Sequence, residues 1–113
     1  MTQFVPFHGV TGANQDGWNR ALSLELGDFL DLVQPDAFVF DGNVPYYGAL
    51  EALDQRPAIK RIWVRRALWA AVNAKVLSRS AKFDMIIEPT ELSGRFDTGA
   101  TKDADDGAVR VLP

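Results

Sequence analysis

The chain has no cysteine and a single histidine, His8. Disulfides, thiolate metal sites and cysteine nucleophiles are therefore excluded, and a multi-histidine metal centre has no ligands to draw on. No metal and no cofactor is expected. Neither GxxxxGK[ST] nor GxGxxG occurs, so His8-Gly9 and Thr11-Gly12 do not make a phosphate loop. No apolar run approaches the roughly 20 residues that a membrane-spanning helix needs. The start, MTQFVPFHG, lacks the basic residues and apolar stretch of a signal peptide. With cysteine absent, the expected location is the cytoplasm. Basic charge is also short: 12 Lys and Arg stand against 15 Asp and Glu, for a net charge of -3. That argues against nucleic acid as a partner, since nucleic-acid binders present a basic surface.

What remains is ordinary for one globular domain: 113 residues, 47% hydrophobic and 24% charged. Residues 1–15 read as irregular. From Asp16, a suitable N-cap, Trp18, Leu22, Leu26, Phe29, Leu30 and Val33 recur at helical spacing. Pro35 ends that helix. "DAFVF" follows, short and continuously apolar, as expected of a strand buried on both faces of a parallel sheet. The turn "DGNVP" leads into a helix through "YYGALEALDQ", with Pro45 in its first turn. "IKRIWV" reads as a second strand. "RRALWAAVNAKVLSRS" reads as a helix, being alanine-rich without internal Pro or Gly. "FDMIIEP" reads as a third strand. Residues 93–113 read as a polar loop with a possible terminal strand in "VRVLP".

This alternation implies an α/β fold: a three-layer, Rossmann-like partial domain with a small parallel sheet of about three strands flanked by helices. Residues 16–92 form its core. Such sheets bind ligands beyond the carboxyl ends of their strands. Those ends carry Asp41-Gly42-Asn43, Arg65-Arg66 and Glu88-Pro89-Thr90-Glu91. Each residue has a plain structural alternative. Asp41 and Asn43 either cap the next helix or meet a ligand. Gly42 supplies backbone freedom. Arg65 and Arg66 either form a fork for phosphate or carboxylate or are ordinary surface charges or partners of Glu88. Glu88 and Glu91 are either a pair of general bases or serve as caps or solvated charge. Tyr46 and Tyr47 either stack on a sugar or pack in the core. Trp18, Trp63 and Trp69 are expected in the core, and His8 is a candidate base in a glycine-rich loop.

The ordered segments "QPDAFVFDGNVPYYGALEAL", "IWVRRALW" and "FDMIIEPTEL" resemble bacterial glycosyltransferases of the GT-B type. The matching positions are Pro35, Asp36, Asp41, Gly42, Pro45, Tyr46 and Gly48. Trp63, Arg65, Arg66 and Trp69 follow, then Glu88, Pro89, Glu91 and Leu92. The resemblance covers roughly residues 16–101. It implies an acceptor-side, N-terminal segment of an enzyme that moves a sugar from a nucleotide-sugar donor to a sugar or lipid acceptor. The family's first strand with its glycine-rich turn and its donor-binding domain have no counterpart in this sequence, so activity from this chain alone is not expected. In such an enzyme Asp41 and Glu88, from their place at the strand ends, and His8, from its glycine-rich loop, are the candidate general bases. Gly42, Asn43, Tyr46, Tyr47, Arg65, Arg66 and Glu91 are the substrate-binding candidates. A second reading is a non-catalytic assembly module, which would homo-oligomerise or dock to a partner through open sheet edges. A receiver-type flavodoxin-like domain shares the alternation but would place an acidic cluster near the first strand. Here "KDADD" lies in the tail.

Overall fold

The structure, a computed structural model, describes residues 14–42, 44–65, 77–89 and 109–111. Helix α1 (Gln15–Val33) is followed by strand β1 (Ala37–Asp41), helix α2 (Tyr47–Asp54) and strand β2 (Lys60–Val64). A 3₁₀ turn (Ser78–Lys82), strand β3 (Met85–Pro89) and strand β4 (Val109–Val111) complete the order. The chain is an α/β, Rossmann-like partial domain on a small parallel sheet. The terminal strand read as possible in "VRVLP" does form, pairing with β3 as the fourth strand of the sheet. The order is β1-β2-β3-β4, with every neighbouring pair parallel. No helix among the described residues is long and apolar enough to cross a membrane. Most of the helix expected over 65–80 lies outside the described residues. Its last residues, 78–80, lie in the 3₁₀ turn, a form common in short connectors. The chain packs as two compact units, one holding α1 and α2 and the other holding the sheet and the 3₁₀ turn.

In the helical unit, the N-cap of α1 lies two residues earlier than the Asp16 expected from the apolar period. Asn14 is the N-cap, its side-chain oxygen accepting from the Gly17 N–H at 2.6 Å. Asp16 sits in the first turn, where a carboxylate meets the positive end of the helix. At the other end Gln34 takes a left-handed backbone (φ 52°) and its N–H donates to the Leu30 carbonyl at 2.8 Å. Pro35 then bars continuation. Trp18 and Leu30 are buried on α1, and Ala49, Leu50, Ala52 and Leu53 on α2.

Helix α2 also departs from expectation at its start. It begins at Tyr47, so Pro45 precedes the helix rather than occupying its first turn. Neither Tyr46, its N-cap, nor Asp41 caps it by side chain. Instead the orphan Gly48 N–H donates to the Asn19 side-chain oxygen of α1 at 2.8 Å. The two backbones come close enough there that a Cβ at position 48 would lie 2.3 Å from the Asn19 carbonyl oxygen. Trp18 meets Tyr46 edge-on, with ring centroids 5.1 Å apart. The far end is tied by Arg56, whose Nε and Nη2 donate to the two Asp31 oxygens at 2.8 and 2.9 Å. Its Nη1 donates to the Ala52 carbonyl. The hydrogen bond from Arg56 holds the Asp31 carboxyl below its usual range, with desolvation opposing it.

In the sheet unit, the register sets Phe40 beside Trp63 and Trp63 beside Ile86. These three share one face by strand alternation. Trp63 and Ile86 are buried there, with Phe40 and Phe83 packed against them. The opposite face is only partly covered: Val39, Met85 and Val109 are 56%, 47% and 52% exposed, while Ile62, Val64 and Ile87 are half-buried. The expectation of strands buried on both faces is corrected here. A run of consecutive apolar residues makes both faces apolar but does not specify what packs on each.

Gly48→Ala is expected to lower stability by at least about 2 kcal/mol, since backbone rather than a mobile side chain obstructs the added methyl. Urea unfolding of both proteins measures this, and equal midpoints would refute the close α1–α2 approach.

Candidate functional site

The parallel register brings the strand ends level. Asp41 lies opposite Val64, Val64 opposite Ile87, and Ile87 opposite Val109. One step further, the Gly42 N–H donates to the Val64 carbonyl at 3.4 Å and the Arg65 N–H to the Ile87 carbonyl at 2.9 Å. Gly42, Arg65 and Glu88 therefore stand side by side on the face that carries Trp63. Asp41 points to the other face.

The side chains there divide into a buried frame and an exposed carboxylate. Arg65 Nη2 donates to Glu88 Oε2 at 2.6 Å, with the two side chains 0% and 2% exposed. Arg65 Nη1 donates to the Ser80 hydroxyl at 3.1 Å. The guanidinium carbon lies 5.6 Å from the centroid of the Trp63 ring. Trp63 Nε1 in turn donates to the Gly42 carbonyl at 2.9 Å. Arg79 Nη1 donates to the carbonyl of Pro45, itself buried. This enclosed network links the ends of β1, β2 and β3 to the 3₁₀ turn. Asp41, by contrast, is exposed and its carboxylate makes no hydrogen bond or ion pair to another described residue.

Of the residues singled out from sequence, Asp41, Gly42, Arg65 and Glu88 thus come together at one sheet edge. Arg65 and Glu88 pair with each other, one of the alternatives weighed for Arg65; Glu88 is neither a cap nor a solvated charge. Fully enclosed, the Arg65 guanidinium has no face for a ligand anion, and the Glu88 carboxylate is committed to Arg65 rather than placed to take a proton. Gly42 does not have a left-handed backbone; a Cβ there would lie 2.9 Å from the Phe40 ring, so crowding rather than backbone freedom favours glycine. Tyr46 and Tyr47 belong to the helical unit, where Tyr46 is half-buried against Trp18 and Tyr47 is 60% exposed. Trp18 and Trp63 are buried as expected. His8, Asn43, Arg66, Trp69 and Glu91 lie outside the described residues.

Ser80, Arg79 and the indole N–H of Trp63 were not foreseen as members of this network. Ser80 and Arg79 close a helix-like segment and look like ordinary solvent-facing residues in sequence. Among the described residues, no group of three or more His, Asp or Glu could hold a metal ion. No family model, no curated protein and no solved structure matches the chain.

Truncating one member of a buried pair leaves an uncompensated charge, whereas replacing both by apolar residues of similar volume does not. Glu88→Ala is therefore expected to cost about 3–5 kcal/mol. The double variant Arg65→Met with Glu88→Leu is expected to recover most of that loss. Denaturant unfolding of the three proteins checks this, and a neutral Glu88→Ala would show that the pair is not formed.

Proposed function

We propose that this chain is the acceptor-side part of a glycosyltransferase of the GT-B type, acting with a donor-binding domain that holds the nucleotide sugar. The observation that carries this reading is the exposed Asp41, engaged by no other described side chain, at the carboxyl edge of a parallel sheet next to a buried frame. That edge is where such sheets bind ligands. The resemblance over residues 16–101 places Asp41 and Gly42 in the same motif. Fold alone does not select a reaction, so the reading rests on the site and the resemblance together.

In this reading Asp41 is the general base. Its carboxylate takes the proton of an acceptor hydroxyl as that oxygen bonds to the anomeric carbon of the donor sugar. The nucleotide leaves with the electron pair of the broken glycosidic bond. Exposure suits this role, because the group has to reach a substrate. Arg65 and Glu88 are positioning residues that hold the ends of β2 and β3 level with Asp41. The chain alone binds acceptor without turnover.

A second reading, assembly through open sheet edges, is favoured by a separate observation. Strand β1 has a strand neighbour on one side only among the described residues. It carries none of the lysines, prolines or bulges with which edge strands are usually guarded.

An amide NMR titration of the chain with short saccharides and with nucleotide sugars tests the first reading. Shifts centred on Asp41 and Gly42 are expected with saccharide, and Asp41→Asn is expected to weaken that binding about tenfold, the scale of one charge-assisted hydrogen bond. Saccharide shifts located elsewhere, or none at millimolar ligand, would count against it.

A further inference from the structure

The edge of β1 is self-complementary. Because the Gly42 N–H points to β2, alternation sends the N–H and C=O groups of Phe38 and Phe40 to β2 as well. Those of Ala37, Val39 and Asp41 point away from it. These same residues carry the exposed side chains, in the pattern exposed, half-buried, exposed, half-buried, exposed along the strand. We infer that β1 pairs antiparallel with β1 of a second copy, about a two-fold axis through Val39. This rests on the assembly reading above and specifies its partner and register.

In that register Val39 faces the partner's Val39, Phe38 faces the partner's Phe40, and Ala37 faces the partner's Asp41. The outward N–H and C=O groups of Ala37, Val39 and Asp41 exchange about six hydrogen bonds across the axis. Two Phe–Phe pairs form on one face, and aromatic cross-strand pairs are favourable. Charge decides the register. Each Asp41 meets an alanine, and the two carboxylates lie about 14 Å apart at a rise of about 3.4 Å per residue. That exceeds the Debye length of about 8–10 Å at physiological salt. A slip that set Asp41 against the partner's Asp41 would bring like charges together and would leave Ala37 and Val39 unpaired. The opposite edge, β4, is only three residues long, a common way of blunting an edge.

Five residues a side make a small contact, below the roughly 1,200 Å² of a standard interface, so the dimer belongs to the weak class. Two-fold pairing of identical edges also closes the assembly at two copies. The continuous sheet then has β4 at both of its ends.

Sedimentation equilibrium from about 10 μM to about 1 mM, the range of weak association, tests the inference on the wild-type chain, Val39→Lys and Ala37→Lys. Val39 and Ala37 are both exposed, and far-UV circular dichroism confirms that each variant folds. The wild type is expected to show a monomer–dimer equilibrium. Val39→Lys sets two lysines against each other on the axis and is expected to raise the dimer Kd at least about tenfold. Ala37→Lys sets each new lysine against the partner's Asp41 and is expected to lower the Kd about 2- to 10-fold. Tighter association by Ala37→Lys supports this register even if Val39→Lys fails to fold. A dimer indifferent to both substitutions would overturn the β1 pairing while leaving assembly through another surface intact. A monomer throughout would overturn both.

Discussion

The sheet unit depends on one interaction, the enclosed ion pair of Arg65 and Glu88. Removing both charges from water costs several kcal/mol each, and only close geometry with further hydrogen bonds repays it. The structure meets those conditions in part, since the buried Arg65 Nε makes no hydrogen bond among the described residues. The pair is 2.6 Å long, the second Arg65 nitrogen reaches Ser80, and the guanidinium lies near the Trp63 ring. Neither group could be enclosed without the other, so the carboxyl ends of β2 and β3 cannot slide independently. The same constraint reaches β1, because Trp63 bonds to the Gly42 carbonyl. Asp41 gains its fixed place at the edge through this chain of contacts while remaining in solvent itself.

The helical unit solves its polar problems with side chains from outside the local segment. The N-terminus of α2 has no capping side chain of its own, and Asn19 of α1 supplies one. Glycine at position 48 is required because that hydrogen bond draws the two backbones together. At the other end, Arg56 reaches Asp31 with a two-pronged contact. Such contacts fix the α1–α2 pairing at both ends, with Trp18 and Leu30 and the small and aliphatic face of α2 buried.

Much of this was legible because apolar runs bounded by turn residues mark strands well. "DAFVF", "IKRIWV" and "FDMIIEP" each fall within a residue or two of β1, β2 and β3. The strand ends followed, and with them the grouping of Asp41, Gly42, Arg65 and Glu88. Long-range partnerships were not legible in the same way. The choice between a ligand-facing and a buried Arg65 turns on its enclosure with Glu88, 23 residues away, which local pattern does not encode. Likewise, the apolar period points to Asp16 as the cap because it stands next to that period, whereas Asn14, a residue type that caps equally well, takes the position. Asn19 was passed over as an ordinary polar position within a helix. The exposed face of the sheet escaped notice because continuous apolar sequence reads the same whether one face or two is covered.

The central claim is that the Arg65 guanidinium is locked inside the sheet edge by Glu88 and Ser80. Nitrogen-15 NMR of the arginine side chains tests it directly. Locked, Arg65 gives separate, sharp Nη signals whose hydrogens exchange slowly with water, unlike those of exposed arginines. A single averaged Nη signal with fast exchange at Arg65 would contradict the account, because a guanidinium that rotates and meets solvent cannot be the buried member of this pair.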